Sequence, residues 1–261
     1  MGEIMLTAYI EALDCQVSRL GLGTVKIGRN QGLKYPTSFD LPNDKDITDL
    51  FALAQELGIN LLDTAPAYGH SEQRLGDLLK TKLKDWIIMT KAGETFVNGL
   101  SHFDFTPQAI TNSVHQSLRR LRRDHIDILL IHSDGNDSQI IAQYEIFACL
   151  DKLKQAGDIR MGGLSSKTVV GGIASLDHAD CVMATYNPTM TNEKVVLDHA
   201  EKLNKPAFIK KAFCSGHLKQ IDAVNPIQHA IEFILKHSCS SHVITGTINP
   251  QHLIENSSFF Q

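Results

Sequence analysis

Paired cysteines, long apolar runs and blocks of basic charge are all missing from this 261-residue chain. The five cysteines, Cys15, Cys149, Cys181, Cys214 and Cys239, are odd in number and scattered, with no CxxC. That pattern excludes a disulfide framework and reads as free thiols in a reducing cytosol. No apolar stretch approaches the roughly 20 residues of a membrane span. The opening MGEIMLTAYIEALDC carries acids where a signal peptide carries bases, and position 6 is Leu where N-myristoylation needs Ser or Thr. Lys and Arg number 25 against 29 Asp and Glu, a formal charge of −4. This balance argues against nucleic acid, whose phosphates require a basic face. The densest basic stretch, Arg119, Arg120, Arg122 and Arg123, closes a helical pattern, where cations meet the helix dipole. HExxH is absent, and Asp124-His125-Asp127 and Asp177-His178-Asp180 fall at turns, so no metal site is expected.

What is present is a repeated alternation. Short β-branched and Leu-rich runs occur at 18–24, 59–63, 86–91, 126–132, 160–165, 181–186, 207–211 and 242–246. Between most of them lie segments with helical spacing, among them DKDITDLFALAQEL, SEQRLGDLLKTKL, TPQAITNSVHQSLRRL, DSQIIAQYEIFACLDKLKQ, NEKVVLDHAEKL and NPIQHAIEFILKH. Thr106-Pro107, Asn225-Pro226 and Asn249-Pro250 mark helix starts, and Gly58 and Gly157 mark stops. Eight such units without a composition break, spaced about 32 residues apart, predict an α/β fold: one (β/α)8 barrel over residues 1–261. Residues 27–43 read as a long loop, and the final SSFFQ as a fraying tail.

In such a barrel the chemistry lies where the strands end. Three successive runs end in ionisable residues: Asp63, Lys91 and His132. Tyr68 follows Asp63 by five residues, in the loop APAYGHSE, which can return the phenol to the barrel mouth. An ammonium beside a phenol lowers its pKa from the usual value near 10 and makes it a better proton donor. The carboxylate would hold the Lys charged, and an imidazole N–H would polarise a carbonyl. The four then converge on an oxygen that gains negative charge, such as a carbonyl accepting hydride.

LGINLLDTAPAYGHSEQRLGDLL closely resembles the signature of the aldo-keto reductase family. So do RLGLGT near the start, Lys91 and His132 after their strands, and GTINPQHLIEN near the end. The resemblance runs from about Arg19 to about Asn256. It implies a (β/α)8 barrel that transfers hydride between a nicotinamide cofactor and a carbonyl or alcohol, sugars included. Asp63, Tyr68, Lys91 and His132 match the family's catalytic set. Gly21-Leu22-Gly23 is not a Rossmann fingerprint, since the third Gly is missing; the family pattern instead places Thr24 and Asp63 near the cofactor. Ser165 matches the family's carboxamide-binding Ser, while Ser166 stands for the usual Asn and Met183 for the usual Gln, and Met cannot replace an amide's hydrogen bonds. Lys210 stands where an aromatic usually stacks on the nicotinamide, with Lys211 beside it; one of them, Lys211 by preference, is expected at the pyrophosphate. Gly246 and Thr247 precede a helix N-terminus suited to phosphate, and Glu255 and Asn256 match residues at the adenine. Gly246 and His252 replace basic residues that often grip a 2′-phosphate. Their replacement weakens preference for the phosphorylated cofactor and opens NAD(H) use, while family habit keeps NADP(H) the first expectation.

A short tail after Asn256 implies an open mouth, with Val25, Tyr35 and Phe96 as candidate pocket walls. The expected product is a cytoplasmic enzyme acting on small carbonyls or alcohols, with neither nucleic acid nor membrane as partner, and monomeric or weakly oligomeric. Two other readings stand beside it: a regulatory subunit that senses the nicotinamide cofactor, and a Schiff-base lyase using Lys91 or Lys210.

Overall fold

The computed structural model describes residues 4–236 and 241–261; Cys239 lies outside the described residues. The chain opens with an antiparallel hairpin of β1 (Thr7–Ile10) and β2 (Cys15–Ser18). The barrel strands follow: β3 (Leu20–Gly23), β4 (Leu61–Asp63), β5 (Ile87–Ala92), β8 (Ile126–His132), β9 (Ile159–Ser165), β10 (Cys181–Thr185), β11 (Ala207–Lys210) and β12 (Ser241–Thr245). A second hairpin, β6 (Glu94–Val97) and β7 (Leu100–Phe103), stands between β5 and β8. Every barrel strand pairs in parallel with its neighbours, and β12 returns to β3 to close the ring. The eight runs expected from sequence correspond to these eight strands.

Alternation along each strand makes two cores. On β8, Ile128 and Leu130 point inward and pack with Leu61, Met89, Met161, Met183 and Phe208. Leu129 and Ile131 point outward to the helices. Leu13 and Val17 of the first hairpin pack into the inward set, so the hairpin plugs the barrel's base.

The outer helices are α1 (Val25–Gly28), α2 (Asp44–Glu56), α3 (Ser71–Leu79), α4 (Pro107–Leu121), α5 (Asp137–Tyr144), α6 (Ile146–Ala156), α7 (Val169–His178), α8 (Lys194–Lys202), α9 (Pro226–Leu235) and α10 (Pro250–Ser258). Their starts follow the expected chemistry. Thr106, Asn225 and Asn249 each accept a backbone N–H in the first turn, at 3.3, 3.0 and 2.9 Å. Caps of this kind contribute about 1 kcal/mol each.

Three expectations need correction. The single helix expected across 137–155 is two, broken at Glu145, whose φ is +47°. The long early loop begins with the last residues of α1. The terminal SSFFQ does not fray: α10 runs to Ser258, Phe260 is fully buried, and its carbonyl accepts the Leu6 N–H at 2.6 Å. Aromatic burial at the base outweighs the terminal position.

Candidate active site

Asp63 ends β4 and Lys91 lies in β5, two residues beyond inward-facing Met89. The two are 4% and 2% exposed, and Lys91 Nζ donates to Asp63 Oδ1 at 2.5 Å and to the Thr64 carbonyl at 2.9 Å. Desolvating two charges costs several kcal/mol per ion, which good pairing only offsets.

Tyr68 reaches this pair through a short turn, Pro66–Tyr68, fixed by close backbone approach. A Cβ on Gly28 would stand 2.3 Å from the Tyr68 carbonyl, and Gly69 holds φ +63° with its own Cβ position 2.2 Å from the Gly28 carbonyl. Only glycine fits at either position. The phenol hydroxyl is then 3.5 Å from Asp63 Oδ2, and Lys91 Nζ is 4.7 Å from the centre of the Tyr68 ring. His132, at the end of β8, meets Tyr68 edge to face with ring centres 6.3 Å apart. The four residues expected to act together are thus gathered at one barrel mouth.

The expected lowering of the phenol's pKa is overturned. Burial, then the Asp63 carboxylate, push Tyr68 well above the ordinary phenol value. Lys91 spends its charge on Asp63, so the phenol meets an ion pair rather than a lone ammonium. Tyr68 therefore holds its proton firmly. Burial also lowers His132 below the usual imidazole value, against the opposing pull of Glu94.

Glu94 was not anticipated. It opens β6, and its Oε2 stands 2.8 Å from His132 Nδ1, although outside the angular range of a hydrogen bond. Its carboxyl sits at about 2: His132, Ser101 and Lys167 outweigh the opposing effect of burial. The overlooked signal was Asn98-Gly99, a common two-residue hairpin turn, here with φ of +51° and +83°.

The remaining candidates divide. Ser165 and Lys210 meet at the mouth: Lys210 Nζ donates to Ser165 Oγ at 2.9 Å and to the Ser166 carbonyl at 2.6 Å. Burial lowers Lys210 to about 7 and raises neighbouring Glu193, moving both partners toward neutrality. Lys211 diverges to an exposed position with φ +57°. Ser166 turns its hydroxyl to the Met183 carbonyl at 3.3 Å and to Glu193 at 3.4 Å, and Met183 packs in the inner core. Thr24 is buried, donating to the Asp63 carbonyl at 2.9 Å and accepting from Ser71 at 2.7 Å, so its hydroxyl braces the mouth from within.

Gly246, Thr247, His252, Glu255 and Asn256 lie together on the turn after β12 and on α10. Gly246, His252 and Glu255 are exposed, while Thr247 and Asn256 are buried. Two buried polar atoms here, Thr245 Oγ1 and Asn256 Oδ1, have no hydrogen-bond partner. Such atoms suit a polar ligand along β12 and α10. Tyr35 closes the space above: its hydroxyl is 3.6 Å from where a side chain on Gly246 would begin, and Lys26 Nζ lies 4.4 Å from its ring centre. Phe96 is stacked by the Arg29 guanidinium at 3.3 Å. Among the described residues, no group of three or more acids, His or Cys is placed to hold a metal, and no helix is long and apolar enough to cross a membrane.

The sequence profile of the Aldo/keto reductase family matches residues 19–223. The chain belongs to the aldo/keto reductase family. A solved structure of a Pseudomonas aeruginosa protein assigned to the aldo-keto reductases superposes with a TM-score of 0.87 at 43% identity, over 97% of this chain and 93% of that one. L-galactose dehydrogenase of Arabidopsis thaliana is 36% identical over 58% of this chain and 45% of its own length. The NADH-specific methylglyoxal reductase of Escherichia coli is 34% identical over 59% and 49%. The match thus spans about half the length of these curated relatives. Met183 is apolar and packs in the inner core, and Ser165 takes its hydrogen bond from the Lys210 ammonium.

Proposed function

We propose that this protein is an NAD(P)-dependent oxidoreductase that interconverts small aldehydes or ketones and their alcohols. The gathering of Tyr68, the Lys91–Asp63 pair and His132 at one mouth carries this reading. A bound nicotinamide supplies or accepts the hydride. Tyr68 gives its hydroxyl proton to the carbonyl oxygen as negative charge develops there, and Lys91 balances the phenolate left behind. Asp63 holds Lys91 in place. With the phenol pKa raised by burial, Tyr68 keeps its proton across neutral pH and serves as the acid when a carbonyl is reduced. In the test, NADPH and NADH oxidation are followed with a panel of aldehydes, for wild type and Tyr68→Phe. Activity in wild type and its loss in the variant support the reading. If both are silent while either dinucleotide still binds, the nicotinamide-sensing subunit takes its place.

Ser165 and Lys210 would hold the nicotinamide end, and Thr245, Thr247, His252 and Asn256 the adenosine end. The unpartnered Thr245 and Asn256 oxygens support this placement. Exposed His252, with no Lys or Arg at 246 or 252, supports acceptance of both NADPH and NADH, with NADPH first by family habit. Side-by-side fluorescence titration decides: affinities more than about 100-fold apart would refute dual use. The odd number and scatter of cysteines in the sequence support a cytoplasmic location, and we propose a monomer or weak oligomer. The Schiff-base reading loses Lys91 to its ion pair, but Lys210, at about 7, is partly neutral near physiological pH. Borohydride trapping with a carbonyl substrate tests it, and a stable adduct on Lys210 would favour the lyase.

A further inference from the structure

The approach of Glu94 to His132 constrains a proton. A carboxylate oxygen and a bare imidazole nitrogen are both acceptors, so their 2.8 Å approach is repulsive unless Nδ1 carries a hydrogen, even though the contact is bent outside hydrogen-bond angles. Glu94 is anchored independently of His132: its other oxygen, Oε1, accepts the Ser101 hydroxyl at 2.6 Å across the β6–β7 hairpin. Gly93, with φ +101°, turns the chain from β5 into that hairpin, and a Cβ there would strike the Phe105 ring at 2.7 Å. The hairpin also packs against the Pro66–Tyr68 turn. The carboxylate is therefore placed by the fold.

We propose that Glu94 is a positioning residue that keeps a hydrogen on His132 Nδ1, leaving Nε2 able to donate to a carbonyl only when the ring is an imidazolium. This rests on the oxidoreductase reading above. Neutral His132 then offers a lone pair at Nε2, which suits a substrate hydroxyl, whereas a carbonyl is served by the charged ring. The groups facing the ring are Glu94 from β6, Lys91 from β5, Lys210 from β11 and Tyr68 from its turn. Glu94 favours the charged ring, and burial with the two lysines disfavours it. Lys167 also acts on Glu94 and helps keep its carboxyl ionised. The balance lies below the ordinary imidazole value, so the carbonyl-polarising form is an acid-side species.

The test has two arms. In 15N-labelled protein, His132 signals are assigned by their loss in His132→Gln, and the ring's tautomer is read at pH 8. We expect hydrogen on Nδ1 in wild type and a shift toward hydrogen on Nε2 in Glu94→Gln, whose amide donates to Nδ1. Hydrogen on Nε2 in wild type, or an unchanged ring in the variant, overturns the proposal whether or not the protein reduces aldehydes. In the second arm, kcat/KM for aldehyde reduction should fall about tenfold per pH unit above the His132 pKa in wild type. The slope should flatten in Glu94→Gln, with NADPH affinity within twofold of wild type. A uniform loss at every pH marks Glu94 as structural only and also overturns it. Expected tautomers without any reductase activity would sink the oxidoreductase reading and leave the Nδ1 assignment standing.

Discussion

Two buried carboxylates, Glu72 in α3 and Asp63 at the mouth, show how this barrel separates structure from chemistry. Glu72 is 1% exposed, and both its oxygens are filled by fixed donors: Thr90 at 2.6 Å on one, Ser117 at 3.1 Å and Arg120 at 2.8 Å on the other. It ties α3 to β5 and α4. Asp63 is nearly as buried, but only Oδ1 is firmly engaged, by Lys91; Oδ2 has the Tyr68 hydroxyl at 3.5 Å, the far limit of a hydrogen bond. A saturated carboxylate braces the fold, and an incompletely satisfied one keeps capacity for a reacting partner.

The sharpest way to break this contrast is Tyr68→Phe, which should lower kcat for aldehyde reduction by about 10²–10⁴-fold with unchanged dinucleotide affinity and stability; a loss below tenfold would deny Tyr68 its acid role. Glu72→Ala should do the opposite. Urea unfolding should show about 3–5 kcal/mol less stability, the cost of stranding buried partners, while activity per folded molecule holds. Next comes pH. Alcohol oxidation needs Tyr68 deprotonated, so with its pKa raised kcat/KM for oxidation should climb up to about tenfold per unit and reach no plateau below pH 10. A plateau near neutrality would show a lowered phenol instead. The smallest effect is expected of Asn256→Ala: NADPH should bind less tightly by about fivefold, the scale of one neutral hydrogen bond, as read by fluorescence titration. No change would remove Asn256 from the cofactor's path.

The barrel was legible because each strand is a compact apolar run and several helices open on a capping residue, as at Thr106 and Asn249. The tetrad was legible because charged residues ending apolar runs are conspicuous. The two hairpins were not. β6 and β7 pair only with each other, and β7 is wholly exposed, so they carry no apolar alternation to register in a scan for buried strands. With the second hairpin went Glu94. The phenol's acidity was misjudged for a different reason: residue types announce charges, but only distances show that Lys91 is neutralised by Asp63 before it acts on Tyr68. Phe260 was read by position in the chain, whereas the core between strands and helices supplies its apolar surroundings.

Asp137 has a consequence for how the mouth can accommodate different molecules. Its fully buried carboxylate accepts the Ser133 hydroxyl on one side and, on the other, the backbone N–H groups of Lys167 and Thr168 at 2.9 and 2.8 Å and the Thr168 hydroxyl at 2.7 Å. It rivets the segment after His132 to the segment after Ser165, making that arc of the rim a single stiff jaw. Adjustment to guests of unequal girth then falls to the opposite arc, where residues 29–43 cross the opening without regular secondary structure. Altering appetite without blunting the chemistry should therefore begin there.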